Sequence, residues 1–224
     1  MSDAPASVSP SWSFALLADR LAGIGGWRRY LVALLLGVLS TLALPPTYAL
    51  PVFYLTFPAL VWIVGGTAGK RAAFAVGWWF GMGWFVTSLY WIGNALLVFS
   101  DRHAWMVPFA VLGLPAFLAL YTGLATLIAR LGRNPLERAL WLALGWTAAE
   151  WLRGHLLTGF PWNLAGYGWM ASAELMQLAS VIGAYGLSLL AVTSAALPAA
   201  LAMPGRSART GALLAALLIL VAGW

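Results

Sequence analysis

Long apolar blocks, separated by short polar stretches, constrain this chain more than any other feature of its sequence. A helix needs about 20 mostly apolar residues to cross a hydrocarbon core of about 30 Å, and the blocks reach that order of length. A transmembrane β-barrel would instead show segments of about ten residues that alternate between apolar and polar side chains. No such alternation is evident here. The sequence therefore predicts an all-α, polytopic bundle of transmembrane helices.

The composition agrees with this interpretation. Hydrophobic residues make up 62% of the chain and charged residues only 8%, whereas soluble domains carry about 25% charged residues. The net charge is +6, but a nucleic-acid partner would require a clustered basic face. Here the charges lie singly or in pairs between apolar blocks. We therefore expect the lipid bilayer, and no nucleic acid, as a partner.

Seven blocks are predicted as membrane-spanning helices. In chain order they cover residues 30–44, 48–66, 72–97, 105–129, 139–152, 173–203 and 211–224. Residues 1–27 lack the pattern of a signal peptide. They are expected to form a cytoplasmic or interfacial leader. Within it, residues 12–21 are either a short helix at the membrane surface or a loose polar chain. Residues 28–224 are expected to form one transmembrane domain, whose last span is incomplete because it is still apolar at Trp224.

The basic residues predict the orientation of the bundle. Short cytoplasmic loops carry an excess of Lys and Arg. If the N-terminus is cytoplasmic, all of the 12 Lys and Arg residues except Arg102 and Arg153 fall on the cytoplasmic side. We therefore expect a multi-pass protein with its N-terminus in the cytoplasm.

The polar residues that could carry chemistry concentrate after the fifth block. Glu150 and Arg153 are three residues apart, so a helix places them on one face, where they can pair. One interpretation is an interfacial ion pair with Arg153 snorkelling to the headgroups; the other is contact with an anionic headgroup or substrate. Phe160 precedes Pro161, which favours a turn. The aromatic residues of that turn are either an interfacial anchor or the lining of an access site for lipid tails.

Other features predict packing and exclude some chemistry. Gly77, Gly81 and Gly83 in the third block are typical of close helix–helix contact. The 224 residues contain no Cys, which excludes disulfides, thiolate metal sites and a cysteine nucleophile within them. Since His103 and His155 are far apart, a multi-histidine metal site is not expected. We predict no metal and no cofactor.

Residues 149–167 read Ala-Glu-Trp-Leu-Arg-Gly-His-Leu-Leu-Thr-Gly-Phe-Pro-Trp-Asn-Leu-Ala-Gly-Tyr. This stretch resembles the membrane domain of the apolipoprotein N-acyltransferase family, which has an acidic residue, then Leu-Arg-Gly, Thr-Gly-Phe-Pro-Trp and Gly-Tyr, and the match has no gaps. Weaker similarities are Thr41-Leu-Ala43 before Pro45, Ser88-Leu-Tyr-Trp91, Leu120-Tyr-Thr-Gly-Leu124 and the sixth block from Ile182-Gly183. The resemblance covers most of residues 28–224.

The resemblance implies an enzyme of lipoprotein maturation in the bacterial inner membrane. Members of the family transfer an acyl chain from a phospholipid donor to the N-terminal diacylglyceryl-cysteine of an apolipoprotein acceptor. They act through a thioester on the cysteine of a Glu-Lys-Cys triad, in a nitrilase-like domain that follows the seventh span. That domain is absent from these 224 residues, which contain no Cys. We therefore assign no catalytic residue, and expect this fragment alone to be inactive.

The same resemblance, with the aromatic and glycine-rich character of the loop, implies a substrate-binding region at the outer ends of the third and fifth spans. The candidate substrate-binding residues are Glu150, Arg153, Phe160, Trp162, Tyr167 and Trp91. Two other interpretations remain open: an inactive membrane anchor, and an unrelated polytopic transporter or channel. A transporter would need polar or broken helices near the midplane, whereas the ionisable residues here lie at block ends.

Overall fold

The structure, a computed structural model, describes residues 14–222, without the side chains of residues 206–208 and 218–222. The described residues form an all-helical bundle of α-helices with short 3-10 and π turns. The α-helices are α1 (Phe14–Gly23), α2 (Gly26–Ser40), α3 (Phe53–Gly65), α4 (Lys70–Leu89), α5 (Ile92–Leu97), α6 (Ser100–His103), α7 (Leu114–Ala129), α8 (Pro135–His155), α9 (Ala173–Gln177), α10 (Ala179–Ala196) and α11 (Arg206–Ala222). The predicted leader helix corresponds to α1, although residues 12 and 13 lie outside the described part, as does Trp224.

Each predicted block overlaps one of the longer helices: α2, α3, α4, α7, α8, α10 and α11. Within the described residues, three helical stretches are long and apolar enough to cross a membrane: Lys70–Leu89, Ser100–Ala129 and Ala179–Ala202. Leu50–Gly65 is apolar but shorter. The predicted helical membrane bundle is confirmed, whereas seven membrane crossings stay a prediction.

Helix α3 lies at the centre of the bundle. Every residue from Thr56 to Val64 is buried, as expected of a helix that is apolar on all faces. Around it α2 packs on α4, α4 on α7, α7 on α8 and α8 on α10, while α2, α8 and α10 also contact α3. The peripheral helices thus form an arc around a buried axis.

An aromatic cluster joins α3, α4 and α8. Phe57 lies 5.2 Å from Trp146 between ring centroids, and Trp146 lies 5.5 Å from Trp84, both in edge-to-face geometry. Phe53 stacks on Trp84 at 5.7 Å. Such pairs add about 0.5–1.5 kcal/mol each beyond the burial of area. The cluster fixes Trp146 one helical turn before Glu150, directly below the candidate site.

The interface between α4 and α7 depends on glycine, as predicted. Thr122 Oγ1 donates to Gly77 O at 2.9 Å, and Thr126 Oγ1 donates to Ala73 O at 2.9 Å. A Cβ atom at Gly77 or Gly81 would overlap these threonine hydroxyls. Gly83 faces α2 instead, where a Cβ would overlap Leu34 O. The three glycines of α4 therefore let two neighbouring helices approach its backbone.

Two arginines, Arg29 and Arg130, bind the loop that follows α3 at one end of the bundle. Arg29 Nη2 donates to Gly66 O at 3.0 Å, and Arg130 Nη1 donates to Thr67 O at 2.6 Å. Cations at the C-terminal end of a helix interact favourably with its dipole. The contacts show that these two arginines share one end of the molecule. Which side of the membrane that end occupies stays a prediction.

The helices are more broken than the blocks indicated. The third block was expected to be continuous to residue 97, but α4 ends at Leu89 and α5 is separate. The fourth begins with turns, including a π turn at Phe109–Gly113 just before Pro115, which has no N–H to donate. The sixth is divided between α9 and α10, and α10 itself is interrupted at Gly183, with φ 71° and ψ 173°. Only glycine adopts that conformation without strain.

Candidate functional site

The loop after α8 folds back over the end of that helix. Phe160 N donates to Arg153 O at 2.7 Å, and Gly159 N donates to Leu156 O at 2.9 Å. Gly159 has φ 74°, and a Cβ there would lie 2.5 Å from Gly154 O. The sequence favoured a turn at residues 159–162, and these residues are indeed non-helical. The reversal places the loop directly above the buried polar side chains of α8.

Arg153 holds the first half of the loop. Its Nη1 donates to Phe160 O at 2.9 Å and to Trp162 O at 2.6 Å. Its guanidinium lies 5.2 Å from the centroid of the Phe85 ring and 5.9 Å from that of Phe160. Hydrogen bonds from a charged donor are the stronger kind, and the two ring faces add cation–π attraction. The residue is only 3% exposed, so the interpretation of Arg153 as a snorkelling side chain is wrong.

Glu150 holds the second half of the loop. It is 5% exposed, and its Oε1 accepts hydrogen bonds from Trp146 Nε1 at 2.9 Å and Ala165 N at 2.8 Å. One residue further on, Gly166 N donates to Ser188 Oγ of α10 at 3.0 Å. These bonds attach the loop to two helices.

Glu150 and Arg153 do not form the direct ion pair that their spacing allowed, since no N···O contact within 4.0 Å joins them. The physical reason is competition from the loop. Two of its backbone carbonyls accept from Arg153, and its Ala165 N–H donates to Glu150 Oε1, so the two side chains bind the loop separately. Their opposite charges still offset one another within one turn of α8, which lowers the cost of burial.

Two exposed tryptophans mark the outer surface of the site. Trp91, after α4, and Trp162, in the loop, are 46% and 55% exposed. Their rings lie 6.4 Å apart at an interplanar angle of 73°. Asn163 Nδ2 and Trp91 Nε1 both donate to Ser88 O, at 3.2 and 3.1 Å. The end of α4 and the loop are therefore joined.

Tyr167 lies on the inner side of the same loop and is half-buried. Its hydroxyl donates to Pro161 O at 3.5 Å, a long contact. Burial raises the pKa of the Tyr167 phenol above its usual range, and the Glu150 charge acts in the same direction. The phenol therefore stays neutral at physiological pH and acts as a hydrogen-bond donor.

A small cavity lies beneath the loop, beside Glu150, Arg153, Asn163 and Trp84. Its volume of about 10 Å³ has room for about one water molecule. Glu150 Oε2 and Trp84 Nε1 are buried atoms for which no hydrogen-bond partner is found within residues 14–222. A lipid cannot enter a space of this size.

All six predicted site residues come together in the structure, but they divide into two groups. Glu150 and Arg153 are buried and position the loop, while the aromatic residues form its half-buried and exposed surface. Sequence reasoning missed Trp146, Asn163 and Ser188, which add hydrogen bonds to the site. Trp146 had a usable signal, because it lies four residues before Glu150 on the same helical face. Ser188 had none, because α10 is distant in sequence.

Comparison with known proteins covers the fold and the site together. The family model of the apolipoprotein N-acyltransferase N-terminal domain matches residues 36–197, a range that contains every candidate residue. A protein named apolipoprotein N-acyltransferase from Rhodopseudomonas palustris is 52% identical over 190 residues, covering 82% of this chain and 35% of its own length. One from Brucella suis is 49% identical over 216 residues, covering 92% of this chain and 40% of its own length.

A third protein of that name, from Rhizobium etli, is 46% identical over 212 residues, covering 90% of this chain and 40% of its own length. The chain thus spans roughly two fifths or less of the length of these curated relatives. The match of the family's N-terminal domain to most of the helical bundle, with identity near one half in several relatives, shows that this chain belongs to the apolipoprotein N-acyltransferase family.

Proposed function

We propose that this chain is the membrane domain of an apolipoprotein N-acyltransferase. The whole enzyme would transfer an acyl chain from a phospholipid to the N-terminal diacylglyceryl-cysteine of an apolipoprotein, in the bacterial inner membrane. The chain would cross that membrane several times, with residues 1–27 as a cytoplasmic leader and residues 28–224 as the transmembrane domain.

One observation supports the proposal: the loop that follows α8 is hydrogen-bonded to the two buried charged residues of the motif at residues 149–167. Arg153 donates to two loop carbonyls and Glu150 accepts from a loop amide. A surface loop at a membrane boundary has no structural need for two buried ionisable groups, which are expensive at such a position. The expense is understandable if the loop must present its aromatic face in one fixed position.

We assign different roles to the six residues. Glu150 and Arg153 are positioning residues, because the loop lies between them and any lipid. Trp91 and Trp162 are the contact residues, since both rings are exposed and meet edge to face. Phe160 and Tyr167 are half-buried on the inner side of the loop, Phe160 beside the Arg153 guanidinium. The aromatic surface would receive the apolar part of the donor lipid or of the lipidated acceptor.

The chemistry itself would be performed outside these residues. Covalent acyl transfer needs an activated nucleophile, and a cysteine thioester cannot form on a segment that contains no Cys. We assign the thioester cysteine and its triad to a nitrilase-like domain in the portion of the relatives that this chain does not cover. This chain alone is predicted to form no acyl-enzyme from radiolabelled phospholipid.

A chimera tests the proposal directly. Residues 1–204 of this chain would replace the corresponding segment of the Rhodopseudomonas palustris relative, and the chimera would be expressed in cells depleted of their own N-acyltransferase. We expect growth to be restored and the N-terminal cysteine of a reporter lipoprotein to carry a third acyl chain by mass spectrometry. A chimera that inserts stably in the membrane but leaves the reporter diacylated would overturn the proposal.

A further inference from the structure

An apolar groove lies between α8 and α10, on the side of α8 that faces away from the small cavity beneath the loop. It has a volume of about 550 Å³ and is lined by Leu144, Thr147, Ala148, Trp151, Leu152, Tyr185 and Leu189. The volume is within the range of about 300–1,000 Å³ found for small-molecule sites. We call it the α8–α10 groove.

The groove exists because one small residue lies between two large ones. Leu144, Ala148 and Trp151 follow one another on the same face of α8, at helical spacings of four and three residues. Leu144 and Trp151 are both about half exposed, and Ala148 is exposed between them. The opening therefore faces outward from the bundle, toward the surrounding hydrocarbon.

The outer end of the groove has a different character. His155 stacks on Trp151 with ring centroids 4.5 Å apart and lies 5.9 Å from the Tyr185 ring. His155 Nδ1 lies 2.8 Å from Trp151 O. A carbonyl only accepts, so Nδ1 donates its hydrogen and Nε2 is left for another partner. His155 is exposed, so Nε2 is accessible at the end of the groove.

The dimensions fit one leaflet of a bilayer. Leu144 and His155 are eleven residues apart on α8, or about 16 Å along the helix axis. Half of the hydrocarbon core is about 15 Å thick. If the outer end of α8 lies at the headgroup level, the groove extends from there to near the midplane. Its polar aromatic end then lies at the depth that Trp and Tyr prefer.

We propose that the α8–α10 groove is a binding site for a single glycerophospholipid of the outer leaflet. One acyl chain lies along Leu144, Ala148 and Leu189, the phosphate accepts from the Tyr185 hydroxyl, and His155 Nε2, an acceptor in this tautomer, accepts from the ammonium of an ethanolamine headgroup. No carboxylate lines the groove, so no negative side chain repels the phosphate there. The site holds the lipid beside the loop that starts at Leu156; that this lipid is the acyl donor rests on the function proposed above.

Photo-crosslinking in vesicles tests the site without any acyl transfer. The chain would be reconstituted in phosphatidylcholine vesicles with a trace of phosphatidylethanolamine that carries a diazirine in its acyl chain, and labelled residues would be mapped by mass spectrometry. We expect labelling of residues 144–152 to exceed labelling of the lipid-facing side of α2, at Leu35 and Leu39, by ~5-fold or more. Uniform labelling of both faces would mean annular lipid only and would overturn the proposal.

Two variants separate the parts of the site. Ala148→Phe fills the groove at an exposed position and should reduce labelling there to the level of α2, whereas Leu35→Phe, also exposed, should change nothing on α8. His155→Ala should reduce labelling by the phospholipid probe but not by a diacylglycerol carrying the same diazirine chain. If Ala148→Phe leaves the labelling pattern unchanged, the groove is not the binding site, whatever the outcome of the chimera experiment.

Discussion

The two hydrogen bonds from Arg153 to the loop predict how much more often the loop opens when they are removed. Arg153→Met keeps the length and apolar body of the side chain but removes two hydrogen bonds from a charged donor. Such bonds contribute about 1.5–3 kcal/mol each, and the lost cation–π contact with Phe85 acts in the same direction. The free energy of opening the loop should therefore fall by about 3 kcal/mol or more. Since each 1.36 kcal/mol is a factor of ten, the open state becomes about 100-fold more populated.

Hydrogen exchange followed by mass spectrometry measures that population, because exchange of a protected amide tracks local opening. The informative amides are those of Gly159, Phe160 and Ala165, which are all hydrogen-bonded. In Arg153→Met they should exchange about 100-fold faster, while the buried amides of α3 stay protected.

The matched control is Arg102→Met. Arg102 is a highly exposed arginine whose contact with Asp101 is 3.9 Å long, and exposed pairs of this kind contribute about 1 kcal/mol or less. Loop exchange should not change in this variant. If the loop amides of Arg153→Met exchange within threefold of the wild-type rate, the hydrogen bonds of Arg153 do not hold the loop closed and the reasoning is refuted.

Three further changes follow from the same geometry. In Gly77→Leu the new side chain should overlap the threonines of α7 and lower the free energy of unfolding by about 1–3 kcal/mol, seen as a lower Tm in detergent. In the control Gly113→Leu the nearest atom is 4.0 Å from a Cβ, so Tm should not change. Gly159→Ala should speed loop exchange by about tenfold, because a left-handed conformation costs an L-residue about 1–2 kcal/mol; an unchanged rate would show that the turn is not constrained. Arg130→Met should lower Tm through lost hydrogen bonds to the loop after α3 but leave exchange of the distant loop unaltered, and accelerated exchange there would contradict the separation of the two ends.

Much of the fold could be predicted from the distribution of apolar residues. Pro45 and Pro46 lie between α2 and α3, where the missing backbone N–H of proline disfavours a continuous helix. The glycines of α4 indicated close packing, which the threonine-to-backbone hydrogen bonds confirm. These predictions succeed because the cause is local: a helix needs apolar length, and a close approach needs a missing Cβ.

The breaks in the outer halves of the helices were not predictable in the same way. Residues 90–97 and 105–113 belong to the predicted apolar blocks, yet they fold as short helices and turns. Hydropathy measures transfer into lipid and carries little information on where a helix bends. Gly183 is one of many glycines in the chain, and only the surrounding structure determines that it adopts a positive φ.

The site shows the same division between local and distant causes. The motif contains five of the six candidate residues, all except Trp91, and the spacing of Glu150 and Arg153 correctly placed those two on one face. Spacing alone could not show that the loop would take up both side chains, since its carbonyls come from Phe160 and Trp162, seven and nine residues beyond Arg153. On an isolated helix Glu150 and Arg153 would be expected to pair. In the folded protein both side chains bind backbone groups of the loop instead.

The proposed site has separate residues for positioning and for contact. Glu150 and Arg153 act on the loop from below, and the cavity between them has room for about one water. Trp91 and Trp162 meet on the exposed side. This division predicts that substitutions of the buried pair act through the loop, whereas substitutions of the tryptophans act on the substrate directly.

The measurement that tests this account most directly is kcat/KM for N-acyl transfer by the active chimera with Trp162→Ala, compared with Trp141→Ala. Trp141 is an equally large exposed ring on α8, 41% exposed against 55% for Trp162, but it lies nearer the start of the helix, away from the loop. We expect Trp162→Ala to lower kcat/KM by about tenfold or more, equivalent to about 1.4 kcal/mol of transition-state binding, and Trp141→Ala to leave it unchanged. Wild-type kcat/KM in both Trp162→Ala and Arg153→Ala would contradict the central claim that this loop receives the lipid substrate.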